Sequence, residues 1–550
     1  MLAACGAACS TSESGGAGSG SGGAGSGAMV TGGSTGGATT MGAGGGAGSG
    51  PGAAGTNGAS GGAPAAAGGA SGQAGTRGSG GGGSTAGAGG STATAACADS
   101  TPRGSLDVAN VGSAPGAVTQ ADLAGASPAT HYYLSVPGNL PPAGTTDPAK
   151  QVGLFLVFNE HGSNPGVEIP SVTKSLANLK RAGDFVVLGL PIDPNTTTHP
   201  YTTADHDRAK LLLAYALKTW PINPRRVYLW GRGEGATMAH QWGTENKGAV
   251  AAMITYSWGW DTPKWPSNSA DDEPDLYLVI GLSDYPDTHV PLVRRVYGYA
   301  KAAGFHVIYR EVPGLQGATA NAVTNDDAIA WAISSRHKTL ALSANESAIL
   351  APYREPAGGR AICPDAGLFA ALDLVGGLAA GQVMPDVLQA SADASRTLAA
   401  QVAGHANFGD VADAALGARL KDASATVRSA ALKSLGVAAN WRNPSAQQAL
   451  IDFVTNTAND PGERGLATDA IGVAVKYQIG GDVATGGYQD PPLFLALVTL
   501  LGDADVSLRA KAFNILKPAM PASTYDPTVA PASQQAAIGA WQSWQKTLKG

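Results

Sequence analysis

The chain has 550 residues, of which 78 are glycine and 14% are charged, and its formal net charge is −6 at pH 7. A nucleic-acid-binding protein carries a basic surface, so the acidic balance argues against a nucleic-acid partner. The sequence contains no run of 18 apolar residues, and we therefore expect no membrane-spanning segment.

The first 100 residues differ in composition from the rest of the chain. They hold 36 of the glycines, three charged residues and no Phe, Tyr or Trp. Such a segment cannot bury enough apolar surface to offset the entropy lost on folding. Its glycines keep no three-residue period, which excludes collagen. We expect a disordered Gly/Ser/Ala-rich linker over residues 10–99, and about two to three domains in the remaining 450 residues (550 − 100).

Residues 1–9 contain the sequence Leu-Ala-Ala-Cys5. It resembles the lipobox of bacterial lipoproteins, in which the cysteine carries a diacylglyceryl group. The resemblance implies an exported cell-envelope protein that is lipid-anchored at the outer membrane or surface, or secreted, and that contacts the membrane only through lipid on Cys5. The charged and apolar parts of a signal peptide do not precede the motif, so the start codon is misassigned or the match is chance. In an exported protein Cys97 and Cys363 either pair or remain free thiols.

Residues 100–340 alternate between strand-like and helical stretches. The strand-like runs are His131–Val136, Val152–Phe158, Phe185–Leu190, Val227–Trp230, Ala251–Tyr256, Leu276–Gly281 and His306–Glu311. The helical stretches are Lys174–Ala182, Thr203–Thr219, one beginning at Ala236, Val290–Ala303 and Asp326–Ser335. Strands that alternate with helices of 10–15 residues predict a doubly wound parallel sheet.

Several short motifs in this region resemble the α/β-hydrolase family, particularly its esterase and polyhydroxyalkanoate-depolymerase-like branch. The motifs are His161-Gly162, the segment 222–229 (INPRRVYL), the turn 231–235 (GRGEG), the segment 281–284 (GLSD) and the segment 312–314 (VPG). The resemblance covers roughly residues 132–335. It implies an α/β-hydrolase-like domain over residues 100–340 and, in an active member, carboxylic-ester hydrolysis.

The positions of a catalytic triad can be assigned from this resemblance. Such enzymes carry a G-x-S-x-G turn whose serine is the nucleophile, and here Gly233 occupies the serine position. The resemblance implies Asp284 as the acid, with Asp287 as the alternative, and it places the histidine position at Gly317. Acyl transfer requires a nucleophile and a base, and glycine supplies neither. We therefore predict a lost nucleophile, a lost histidine and a vestigial acid.

The remaining cleft is predicted to bind a ligand. Its residues are His161, Gly162, Arg232, Glu234 and Trp258. The family position implies that Glu234 points away from the cleft. Aromatic rings at strand ends stack on sugars or apolar ligands, but they also serve as ordinary packing. A relocated catalytic site that uses Ser257 with His161 or His240 remains the alternative.

The sequence gives no indication of a metal or a cofactor. Its nine histidines show none of the H-x-x-x-H or Cys/His spacings of zinc sites. The triplet 205–207 (Asp-His-Asp) is better explained as the acidic first turn of a helix, because adjacent helical side chains diverge.

Residues 341–550 are rich in Ala and Leu and contain an internal repeat. The pattern Leu420-x-Asp-x₄-Val-Arg428-x₂-Ala-x₃-Leu435 returns 81 residues later, from Leu501 to Leu516. A degenerate copy lies between them at Arg464. The repeat resembles the HEAT family of stacked helix pairs, which implies an α-helical solenoid. We expect the arginines to lie along one edge with the aspartates, and this region to melt separately from the sheet region.

These observations leave three hypotheses. The first is a non-catalytic envelope lipoprotein that binds an envelope protein or a small or polymeric ligand through its hydrolase-like cleft, its HEAT-like surface, or both. The second is an esterase-like hydrolase with a displaced nucleophile. The third is an envelope scaffold without a small ligand. Likeness of fold alone favours a hydrolase, but function depends on the site.

Overall fold

The computed structural model describes residues 110–126, 131–191, 201–268, 274–312, 315, 322–354, 371–372, 374–389, 393–404, 407–476, 478 and 490–548. All of the described residues belong to one compact unit, which lies within residues 89–550. The lipobox at Cys5, the linker, Cys97, Cys363 and the histidine position Gly317 lie outside the described residues.

Eight strands form one sheet, and most of its pairs are parallel. The strands are β1 Thr119–Asp122, β2 His131–Ser135, β3 Val152–Phe158, β4 Phe185–Leu190, β5 Ile222–Arg232, β6 Ala252–Tyr256, β7 Asp275–Gly281 and β8 Val307–Val312. Their order across the sheet is β1-β2-β4-β3-β5-β6-β7-β8, with β1 and β2 antiparallel to their neighbours and the other strands parallel. The predicted α/β-hydrolase-like sheet is confirmed, with β1 as an additional short edge strand.

Helices cover both faces of the sheet. Those of the sheet region are α1 Pro165–Asn178, α2 Thr203–Thr219, α3 Glu234–Glu245, α4 His289–Ala302 and α5 Ala322–Ser334. Helices α1 and α5 pack with one apolar core, and α2, α3 and α4 pack with the core on the opposite face. Strands β3 to β7 are buried along their whole apolar runs, as expected for a parallel sheet covered on both faces.

The rest of the chain is helical. Its helices are α6 Ala344–Arg354, α7 Gly377–Gly381, α8 Met384–Val387, α9 Asp393–Ala403, α10 Asp410–Arg419, α11 Ala425–Asn440, α12 Pro444–Thr455, α13 Pro461–Val475, α14 Pro491–Leu500, α15 Val506–Leu516 and α16 Gln535–Gln545. From α9 onward they stack in two layers, with α9, α11, α13 and α15 in one and α10, α12, α14 and α16 in the other.

The 81-residue repeat corresponds to the same local structure at both copies. Nη1 of Arg428 donates hydrogen bonds to the backbone oxygens of Asp422 (2.6 Å) and Ala423 (2.9 Å). Nη1 of Arg509 donates likewise to the oxygens of Asp503 (2.8 Å) and residue 504 (2.9 Å). Each arginine therefore fixes the turn that precedes its own helix.

Ion pairs connect successive helices of the first layer, as expected. Arg396 pairs with Asp422 at 2.8 Å, and Arg464 pairs with Asp503 at 2.5 Å. Arg428 pairs with Glu463 at 2.6 Å. The arginines and acidic residues thus alternate along one edge of the stack.

The helical region packs directly on the sheet region. Trp441, at the end of α11, is buried in the core that α1 and α5 form with the sheet. Arg310 of β8 is buried and donates to the Asn440 side chain at 3.0 Å. Arg225 pairs with Glu346 of α6 at 3.0 Å, and both side chains are almost fully buried. The two regions therefore share a buried polar and apolar interface.

None of the helices in the described parts of the chain combines the length and the apolar character needed to cross a membrane.

Candidate functional site

The turn between β5 and α3 is built from three glycines, Gly231, Gly233 and Gly235, and its central residue has a positive φ. Gly233 has φ 56° and ψ −127°, in the left-handed half of conformational space that disfavours L side chains. A Cβ at Gly231 would collide with the Gly235 backbone, and a Cβ at Gly235 would collide with the Phe158 backbone. The two outer glycines are therefore required by close backbone approach, and the assignment of Gly233 to a nucleophile position remains a prediction.

The side chain of Glu160 occupies the space above Gly233. A Cβ at Gly233 would lie 2.7 Å from Cγ and 3.1 Å from Cβ of Glu160. Nη2 of Arg232 holds the Glu160 carboxylate at 2.8 Å and also lies 3.2 Å from Glu168. Burial raises the pKa of Glu168 above its usual range, and the positive charge of Arg232 opposes that rise. Neither Glu160 nor Glu168 was predicted from the sequence, because neither belongs to a triad position.

Glu234 faces the loop after β3, and the expectation that it points away from the cleft is wrong. Its Oε2 accepts a hydrogen bond from the backbone N–H of His161 at 3.0 Å. In α/β-hydrolases an N–H of the loop after β3 and the N–H that follows the nucleophile form the oxyanion hole. The N–H of His161 already binds a carboxylate, and Gly162 beside it adopts φ 74°.

Asp284 is paired with a histidine that sequence analysis did not identify. Asp284 is 2% exposed, and its Oδ1 lies 3.8 Å from Nδ1 of His289, the first residue of α4. Asp284 Oδ2 and His289 Nδ1 are buried without a hydrogen-bond partner among the described residues. The His289 ring packs between Trp258, at 4.6 Å, and Tyr285, at 4.5 Å. The only sequence signal was the short Asp-x₄-His spacing, which is too common to identify a pair.

The residues proposed for a relocated site lie in different environments. Ser257 is buried at the end of β6 with φ 64°, an uncommon conformation for a serine. His240 is buried and lies 3.1 Å from Thr255 Oγ1, while its Nδ1 accepts from the backbone N–H of Trp260 at 3.2 Å. Burial lowers the pKa of His240 to about 3, so the ring stays neutral. His240 is a packed structural histidine.

The acidic triplet of α2 acts at the start of its helix, as the sequence indicated. Asp205 completes a capping box with Thr202, whose backbone N–H donates to its carboxylate at 2.6 Å. Within the described residues, no group of three or more His, Cys, Asp or Glu side chains is placed to hold a metal ion.

Comparisons with known proteins give structural likeness only. No family model matches the sequence, and no curated protein matches it. Similar solved structures include a thermostable esterase (15% identity, TM-score 0.32), covering 40% of this chain and 63% of the esterase. S-formylglutathione hydrolase FrmB of Staphylococcus aureus is 9% identical (TM-score 0.31; 39% of this chain, 98% of that one). Est1E of Butyrivibrio proteoclasticus is 13% identical (TM-score 0.29; 39% and 96%).

Proposed function

We propose that this protein is a pseudo-hydrolase that acts by binding rather than by catalysis. The observation that carries the proposal is the occupied turn: Gly233 has a positive φ, and the Glu160 side chain lies where a serine side chain at this position would extend. Loss of the serine in a serine hydrolase costs about 10⁶ in turnover. Glycine at this position supplies no oxygen to attack an ester.

The charge of the turn supports the same proposal. Acyl transfer develops negative charge on an oxygen that preorganised N–H donors must stabilise. Here the N–H of His161 donates to the Glu234 carboxylate, and Glu160 brings a second carboxylate to the same turn. A carboxylate in this turn repels a developing oxyanion. The Glu234 carboxylate also occupies the N–H of His161, which the oxyanion would need as a donor. The cleft is therefore suited to hold a ligand without activating it.

The first test is chemical. The full chain is incubated with a fluorophosphonate probe and, separately, with short p-nitrophenyl esters. We expect no labelling and no hydrolysis above the buffer rate. Gly233→Ser alone is expected to restore neither, because Glu234 still occupies the N–H of His161 and the histidine position is Gly317. Stoichiometric labelling of the unmodified chain would overturn the proposal.

A second candidate function is an esterase-like hydrolase with a displaced nucleophile. The Asp284–His289 pair favours it, because a buried carboxylate next to an imidazole is the arrangement that orients a general base. Ser257, with its positive φ, is the candidate nucleophile. Under this function the probe would label Ser257, and both Ser257→Ala and His289→Ala would abolish the labelling.

We further propose that the protein is exported and anchored to the cell envelope through lipid on Cys5. About 85 flexible residues at 5–6 Å times the square root of their number give the linker a reach near 50 Å. The folded unit would thus stand clear of the membrane surface. The two-layered helical region fits a HEAT-like array that provides a second binding surface or a scaffold, with an envelope protein or a small or polymeric ligand as its partner.

A further inference from the structure

A groove follows helix α11 where α9 and α13 flank it, and its volume is about 630 Å³. The size falls within the range of about 300–1,000 Å³ typical of ligand sites. Its floor is one face of α11, because the positions that line it recur every three or four residues. We call it the α11 groove; its polar side chains are those of Thr397, Gln401, Thr426, Ser429, Lys433, Ser434 and Glu463.

Small residues open the groove and fix its shape. Ala425, Ser429 and Ala430 leave the α11 face shallow between its neighbours. A Cβ at Gly404 would lie 2.6 Å from Ser434 Oγ, so glycine is what lets α9 approach α11 this closely. Ser434 Oγ also donates to the backbone oxygen of residue 400 at 2.6 Å. These contacts tie α9 to α11 without a ligand, and a site that is already formed lowers the ordering cost of binding.

The groove presents unused hydrogen-bonding groups. In the described parts of the chain, the side chains of Thr397, Gln401, Thr426 and Ser429 make no hydrogen bond. They supply hydroxyl and amide groups that both donate and accept. Backbone N–H and C=O groups of an extended chain need such partners when they leave water.

The groove also carries one unneutralised positive charge. Glu463 at its edge is held by Arg428 at 2.6 Å. Lys433 lies on the floor side, is exposed, and forms no ion pair with any other residue that the structure describes. A ligand with a carboxylate opposite Lys433 would complete the charge balance.

The length of the groove matches that of a short extended peptide. Twelve residues of α11 separate Ala425 from Val437, which is about 18 Å at 1.5 Å per residue. An extended peptide covers that distance with about five residues. We propose that the α11 groove binds an extended, acidic peptide segment of a partner protein, with a carboxylate side chain against Lys433. This inference deepens the proposed binding function and does not involve the cleft at Gly233.

The test uses the full chain and fluorescein-labelled hexapeptide pools in which one central position is Glu, Gln or Lys and the others are randomised. Fluorescence anisotropy should show saturable binding of the Glu pool, weaker binding of the Gln pool and none of the Lys pool. Binding should weaken with added salt, because an exposed charge pair is screened. A Glu pool that binds no better than the Lys pool overturns the proposal.

Matched charge reversals locate the binding. Lys433→Glu should lower affinity for the Glu pool about tenfold or more. Lys421→Glu reverses another exposed lysine, which lies outside the groove, and should leave affinity unchanged. Circular dichroism checks that both variants fold. Equal effects of the two reversals, or none at Lys433, refute the groove as the site. The fluorophosphonate result is independent of these outcomes, so the two proposals fail separately.

Discussion

Replacing Gly233 by alanine tests the geometry of the turn directly. An L residue in the left-handed region costs about 1–2 kcal/mol, and the new Cβ would lie 2.7 Å from Glu160 Cγ. Overpacking of this kind adds about 1–3 kcal/mol. We therefore expect Gly233→Ala to lower the free energy of unfolding by about 2–5 kcal/mol, measured by urea denaturation of the full chain at 25 °C.

Gly162 provides the matched control for the backbone contribution. Its φ is 74°, but a Cβ there would meet nothing within 4 Å. Gly162→Ala should therefore cost only about 1–2 kcal/mol. Combining Gly233→Ala with Glu160→Ala removes the 2.7 Å contact with Cγ and leaves the 3.1 Å contact with Cβ. The double variant should therefore be less destabilised than the sum of the single ones by about 1–3 kcal/mol. Equal costs for Gly162→Ala and Gly233→Ala, with additive double substitution, would show that Glu160 does not lie over the turn.

Three further predictions concern other parts of the chain. Leu435→Ala truncates a fully buried side chain and should lower the free energy of unfolding by about 2–5 kcal/mol. Because the interface through Trp441 and Arg310 couples the helical region to the sheet region, calorimetry should show one transition at a lower temperature. Two separate transitions would contradict that coupling. Burial raises the pKa of Asp413 to about 7, so the folded state binds the proton on this carboxyl more tightly than the unfolded state, and wild-type stability should fall as pH rises from about 4 through 7. Asp413→Asn keeps an acceptor for the Asn443 amide and should reduce the change in urea midpoint between pH 5 and pH 8. The same change in midpoint in wild type and variant would show that other groups cause the pH dependence. Cys5→Ser, with any upstream signal kept, should move the native product from the membrane to the soluble fraction, and unchanged partitioning would reject lipidation.

The sequence by itself determined the sheet, because strands buried on both faces are continuous apolar runs. Each run can be identified without knowing which strand it pairs with. The runs at Val152–Phe158 and Phe185–Leu190 match β3 and β4 at both ends. The tight turn at Gly233 was also predictable, since closely approaching backbones leave glycine as the residue that fits. The repeat is visible in the sequence because both copies need the same residues: Arg428 and Arg509 each hold the turn that precedes their helix.

The predicted bounds were least accurate for α1 and for β5, which covers Ile222–Arg232 and was predicted as Val227–Trp230. Helix α1 covers Pro165–Asn178, whereas the apolar pattern predicted Lys174–Ala182. Pro165 stands at the first helical position, where proline is favourable, and the internal Pro170 concealed the start of the helix. The short edge strand Thr119–Asp122 was missed, because its four residues are mostly exposed and carry no apolar run.

Only the tertiary structure decided which charges meet at the turn and how the two regions join. Glu160 reaches Gly233 across 73 residues of sequence. The expectation of separately melting regions came from a change in composition near residue 340, which carries no information about contacts. Arg310 and Asn440 lie 130 positions apart, yet they share one buried interface. Such contacts form only when segments that are distant in sequence come together in the fold. Local hydrophobic patterns and motif spacings describe neighbouring residues, so they do not predict these contacts.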